Sequence, residues 1–130
     1  MASISTISVW DDDAATIAET YWPVSVVSGL ATWSKAGNTA AGDRVITQSY
    51  SARSASRPTD KIRVKLSFPK EVLVDGVYVV DSVAIADIQV TVPESFTDVD
   101  REYFMNNIMD LTLVTKPLHK AVDSREHVYG

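Results

Sequence analysis

The chain has 130 residues, no cysteine and a net charge of −5. That length bounds one domain over residues 1–130, its 45% hydrophobic content is that of a globular protein, and the lack of cysteine excludes disulfides, thiolate metal sites and cysteine nucleophiles. No apolar run approaches the ~20 residues of a membrane span, and Met1-Ala2-Ser3-Ile4-Ser5-Thr6 lacks the basic start and apolar run of a secretory signal.

Residues 4–10 are rich in β-branched side chains and read as a strand. Asp11-Asp12-Asp13 reads as a turn and residues 15–22 as the returning strand, so residues 1–22 form an N-terminal β-hairpin. A strand over residues 29–35 carries Trp33, and the small, Gly-flanked stretch 36–42 is a loop. Residues 44–52 form the next strand, and residues 53–59 turn into the one after it.

That next strand alternates strictly. Lys61, Arg63, Lys65 and Ser67 point one way, and Ile62, Val64, Leu66 and Phe68 the other. Pro69 is expected to end it, because proline cannot donate to a ladder. Residues 70–81 carry Asp75-Gly76 between apolar runs, which fits a small hairpin or a long structured loop. Residues 82–92 form a further strand, with Ala84, Ala86, Ile88, Val90 and Val92 on one face and Ile85, Asp87, Gln89 and Thr91 on the other. Residues 29–93 are therefore an antiparallel sheet.

After Pro93 the period turns helical. Thr97-Asp98-Val99-Asp100 is a cap followed by two acids that suit the helix dipole. Over residues 98–114, Phe104, Ile108 and Leu111 form one stripe, with Met105, Met109 and Leu113 beside it and Tyr103 widening it. Pro117 opens a second, shorter helix that runs to about Arg125. The fold class is α+β: an N-terminal hairpin, a five-stranded antiparallel sheet, and two C-terminal helices over residues 97–126.

The charge is unevenly placed. From Arg44 to Lys70 there are seven cations against one anion, Asp60, in a chain that is acidic overall. Three cations on one strand face repel each other unless an anion lies above them. A polyanion, nucleic acid above all, is the expected partner of that face. The plainer reading is a solvated strand whose lysines discourage edge pairing.

Two helices cannot cover the apolar side of such a sheet. Helices of one chain lying on the sheet of another would serve both, so an interlocked homodimer is expected, with Tyr103, Phe104, Ile108 and Leu111 at its interface. The alternative is a monomer whose N-terminal hairpin supplies the cover.

Three stretches in order carry a likeness: Gly29-Leu30-Ala31-Thr32-Trp33, then Arg44-Val45-Ile46-Thr47-Gln48-Ser49, then Lys61-Ile62-Arg63-Val64-Lys65-Leu66-Ser67-Phe68-Pro69. With Ala86-Asp87-Ile88-Gln89-Val90-Thr91-Val92-Pro93, the cap at Thr97-Asp98 and the terminal Val128-Tyr129, the chain resembles the coat proteins of single-stranded RNA bacteriophages of the levivirus type over residues 28–130. The resemblance implies dimers that build an icosahedral shell, with the sheet lining the interior. It also implies an RNA hairpin bound across a ten-stranded dimer sheet, which represses replicase translation and marks the genome for packaging.

By position, the resemblance gives an RNA-facing set of Arg57, Thr59, Lys61, Arg63 and Lys65, with Ile85 and Asp87 from a later strand and Ile46 and Gln48 from the preceding one. Asp87 falls where the family holds a polar residue that reads or positions a nucleotide. Ile85 departs from the family's base-stacking tyrosine, a contact of about 1–3 kcal/mol. Residues 70–81 correspond to the loop that lines symmetry axes.

Other chemistry is weakly supported. Calcium takes six or more oxygens spread over a loop with a glycine turn, which three consecutive acids at Asp11-Asp12-Asp13 do not supply, although an ion between subunits stays open. His119 and His127 have no serine-glycine elbow or carboxylate pair nearby and read as surface or interface histidines, and no glycine loop suits a phosphate. Among Trp10, Trp22 and Trp33, which could offer stacking platforms, Trp33 reads as core. No enzyme, resident metal or cofactor is expected. The reading is a virion coat subunit, assembled in the host bacterial cytoplasm, which binds itself and genomic RNA and no membrane. The alternative is a non-capsid dimeric regulator that binds RNA or single-stranded DNA.

Overall fold

The structure, a computed structural model, describes residues 5–10, 18–113 and 116–125. The Asp11-Asp12-Asp13 turn, His127 and the terminal Val128-Tyr129 lie outside the described residues. Two compact units are present, Met1–Thr91 and Val92–Gly130.

The first unit is an antiparallel meander. Strands β1 (Ile7–Trp10), β2 (Ala18–Val27), β3 (Leu30–Lys35), β4 (Arg44–Ser51), β5 (Thr59–Val74) and β6 (Val77–Pro93) follow one another in a single six-stranded sheet. The expected hairpin is not separate from the expected five strands. Its second strand, β2, pairs with β1 on one side and β3 on the other.

Two hairpin turns set the register. Val27 pairs with Leu30 across Ser28-Gly29, and Asp75-Gly76 joins β5 to β6. All four turn residues have positive φ, as the two-residue turns that match strand twist require. Residues 70–81 are thus the end of a long hairpin and not a loop. Pro69 does not end β5, contrary to expectation. The β4–β5 ladder ends at Ser67, opposite Val45, so Pro69 lies beyond it and its missing N–H costs no bond to β4.

The reverse face of the sheet holds the buried Tyr21 and Trp33, and half-buried Ile46, Ile62, Val64 and Leu66. Trp33 is in the core, as its strand implied, and its Nε1 donates to the Ser5 carbonyl at 2.8 Å. Asp60 is also buried, and its carboxylate accepts the Arg53 backbone N–H at 2.8 Å, tying down the β4–β5 turn. Glu71, just past Pro69, accepts from the backbone N–H groups of Asn38 and Thr39 at 2.9 and 3.0 Å and so fastens the β3–β4 loop.

The second unit carries α1 (Asp98–Leu111) and α2 (Pro117–Ser124). The cap forms as the sequence implied: Thr97 Oγ1 accepts from Asp100 N–H and Asp100 Oδ2 accepts from Thr97 N–H. Helix α1 ends a turn earlier than expected, at a Thr112 cap. Phe104 packs edge-on against Phe96, with centroids 6.3 Å apart. Among the described residues no helix is long and apolar enough to cross a membrane.

Candidate nucleic-acid interface

In an antiparallel pair, residues directly opposite each other point to the same face, so the register says what shares a surface. Lys61, Arg63 and Lys65 stand opposite Ser51, Ser49 and Thr47 of β4. Ser49 and Thr47 in turn stand opposite Leu30 and Thr32 of β3. The result is a hydroxyl-rich face with a basic border. Lys61, Arg63 and Lys65 are exposed and alternate with half-buried Ile62, Val64 and Leu66, as the period-two pattern requires. Thr59 lies on the same side, two residues before Lys61.

Ile46 and Gln48 do not join this face. They stand opposite Leu66 and Val64, on the reverse side. The strand pairing is displaced by one residue from the arrangement that would have put them beside the lysines, and one residue flips a side chain through the sheet. Thr47 and Ser49 occupy the places expected of them. The signal was present in Ile46 itself, since an isoleucine belongs with the apolar side and takes Gln48 with it.

The three cations are not equivalent. Arg63 Nε donates to Asp87 Oδ1 at 2.9 Å, and its Nη2 donates to Asp87 Oδ2. This fork raises the Arg63 pKa, chiefly through the hydrogen bond and then through charge. The same hydrogen bond holds the Asp87 carboxyl below its usual range; slight burial opposes it, and the charges of Arg63 and Lys65 add to it. The expectation of three uncompensated cations is therefore corrected. Asp87 neutralises one, and Lys61 and Lys65 form no ion pair among the described residues.

The remaining cations of the basic segment are spread out. Arg57 turns back on its own loop: Nε donates to Thr59 O at 3.2 Å, and Nη2 donates to Ser51 Oγ and Ala52 O at 2.6 and 2.7 Å. Arg44 lies on the reverse face with its guanidinium 3.9 Å from the centre of the Phe68 ring. Ile85 is 62% exposed and shares the parity of Asp87 along β6, so it stands on the basic side. Of the expected interface residues on α1, Tyr103 and Leu111 are exposed, whereas Phe104 and Ile108 are half-buried. Among the described residues no group of three His, Asp or Glu side chains could hold a metal ion.

What this arrangement can do is bind phosphate. Two free ammonium groups flank a row of hydroxyls on a broad, open surface, where charge sets affinity and hydroxyls and exposed side chains add directional contacts.

The family model described as levivirus coat protein matches residues 2–129 of this chain. Among solved structures, the capsid protein of bacteriophage GA is 26% identical, over 99% of this chain and 100% of that one, with a TM-score of 0.80. An unassembled virus coat protein dimer, described as a bacteriophage RNA-binding dimer, is 25% identical over 99% and 100%, with a TM-score of 0.73. The virus-like particle of Beihai levi-like virus 21 shares the fold, at 18% identity, 99% and 100% coverage and a TM-score of 0.82. A search of curated proteins returned no match.

Proposed function

The chain belongs to the levivirus coat protein family, and from that premise we propose that it is the coat subunit of a single-stranded RNA phage: its dimers close into an icosahedral shell and hold genomic RNA against the basic face of the sheet. The family is a structural one, which fits the lack of a catalytic constellation in the sequence. The observation that carries the RNA part is the pairing register. It gathers Lys61 and Lys65 with Thr47, Ser49 and Thr59 on one side of the sheet, with both ammonium groups uncommitted.

Self-association is supported by how little one chain covers. Among the described residues only Tyr21, Trp33 and Val92 are buried hydrophobics, and Tyr103 and Leu111 on α1 are 63% and 59% exposed. A second copy that buries such side chains recovers ~25 cal/mol for each Å² removed from water. Repression of replicase translation through one RNA hairpin is the finer part of this reading. Ile85 offers no ring for a base to stack on, so packaging through phosphate contact leads and operator recognition follows.

The test is direct. The expressed protein is examined by negative-stain microscopy and treated with nuclease. Uniform shells that protect RNA are expected. Lys61→Ala with Lys65→Ala should still give shells but with less RNA, and the salt dependence of RNA binding should flatten. Dimers that never close into shells would favour the non-capsid regulator. Unchanged RNA content in the double variant would remove the basic face from the reading.

A further inference from the structure

Resting on the RNA-binding reading above, we propose that Trp22 is a stacking platform for an unpaired nucleobase on the far side of the same sheet face. Register carries the argument. Trp22 stands opposite Ser34, Ser34 opposite Val45, and Val45 opposite Ser67, which shares the side of Lys65. Trp22 is therefore on the basic side, while its neighbour Tyr21 is buried on the reverse side.

The local cause is a β-bulge. Pairing shifts between Pro23 and Ser25, which leaves Val24 as the extra residue. Bulges re-aim side chains. Here the bulge lets Tyr21 and Val26, five positions apart, both face the reverse side, and it turns Trp22 outward onto the hydroxyl-rich side. The indole is 64% exposed. Trp33 is buried and its N–H is already donated to Ser5, so it offers no such surface.

The spacing suits a strand of RNA. Three strand separations of ~4.8 Å and two residues along β5 place Trp22 about 16 Å from Lys65. A single strand held by phosphate at Lys61 and Lys65 crosses that distance in a few nucleotides. An indole accepts any base, because every base has a π-face. The contact would add affinity without demanding a sequence, which suits a shell that must hold a whole genome.

The experiment titrates wild type, Trp22→Ala, Trp22→Phe and the Lys61→Ala/Lys65→Ala double variant with a short unstructured single-stranded RNA. Trp22→Ala should bind about 5- to 150-fold more weakly, the effect of losing one base stack. Trp22→Phe should recover most of the loss. The salt slope of Trp22→Ala should match wild type, because no phosphate contact is removed. RNA should quench tryptophan fluorescence in wild type and less in Trp22→Phe.

Wild-type affinity and undiminished quenching in the Trp22 variants would overturn the inference. So would loss of dimers or shells on size exclusion by Trp22→Ala, which would assign the indole to a contact between copies. The double variant separates the two failures. If it weakens binding and Trp22→Ala does not, only the stacking platform is wrong. If it binds as wild type does, the RNA-binding reading itself fails.

Discussion

Arg63 and Asp87, which are 24 residues apart in the chain, close a two-toothed ion pair between β5 and β6 in the middle of the basic face. The carboxylate offers the guanidinium the planar pair of oxygens that an RNA phosphate would offer. Any phosphate that takes Arg63 must first displace it. On the proposed reading, Asp87 would compete with RNA for one of the three cations and leave the two lysines as the ready contacts.

Asp87→Asn removes the competing charge and keeps the shape. RNA binding should tighten, and the log–log salt slope should steepen by about 0.7, the value for one more phosphate on a single strand. Filter binding over a range of salt concentrations measures both. An unchanged slope would mean that Arg63 stays off the RNA even when it is free.

The same pair sets an expectation for pH. Asp87 titrates below its ordinary value because Arg63 donates to it. A lowered carboxylate keeps its interaction above the unfolded pKa and loses it as pH falls through the folded value, here below about pH 4. RNA affinity measured from mildly acid to neutral pH should therefore show no step from this pair.

Glu71 makes a similar case away from the basic face. Its carboxyl is held below the usual range, first by the Asn38 backbone N–H and also by the Thr39 hydroxyl and N–H, with slight burial opposing. Glu71→Gln should lower the melting temperature at neutral pH, and the difference from wild type should shrink in acid, as pH falls below the unfolded value of about 4.3 and through the lowered folded one. Gly42 lies so close that an added methyl would strike the Glu71 carboxyl group. Gly42→Ala should cost about 1–3 kcal/mol by crowding, measured by urea unfolding.

The small set of buried hydrophobics in a single chain makes stability a matter of association. Melting temperature should rise with protein concentration, with each tenfold change worth about 1.4 kcal/mol per mole of dimer. Leu111→Asp, which places a charge on an exposed apolar position of α1, should shift the protein toward monomer on size exclusion and abolish that dependence. A concentration-independent midpoint in wild type would speak for a self-sufficient monomer.

The β5–β6 turn gives a backbone prediction. Gly76 has φ of +80°, a region that costs an L-residue about 1–2 kcal/mol. Gly76→Val should destabilise by that amount in chemical unfolding, whereas Asp75→Asn should be near neutral, because asparagine tolerates the same turn position.

Much of this architecture is local and could be read from residue order. Alternation from Lys61 to Phe68 marked a half-buried strand, Asp75-Gly76 marked a turn, and Thr97 to Asp100 marked a helix start, because each depends on a period or a cap within a few residues. Pro69 misled for the same reason. Locally it reads as a strand end, yet what it costs depends on whether a neighbouring strand still needs its N–H, and β4 has already run out there.

Which side chains share a face, and which charges remain available, were decided only by the folded sheet. Pairing between strands put Thr47 and Ser49 beside the lysines and sent Ile46 and Gln48 to the reverse side, while one extra residue at Val24 turned Trp22 outward. The meeting of Asp87 with Arg63 likewise follows from β5 and β6 lying side by side. The reason is physical: strand periodicity is a property of neighbouring residues, but register is a property of two strands at once, and a slip of one position reverses every face.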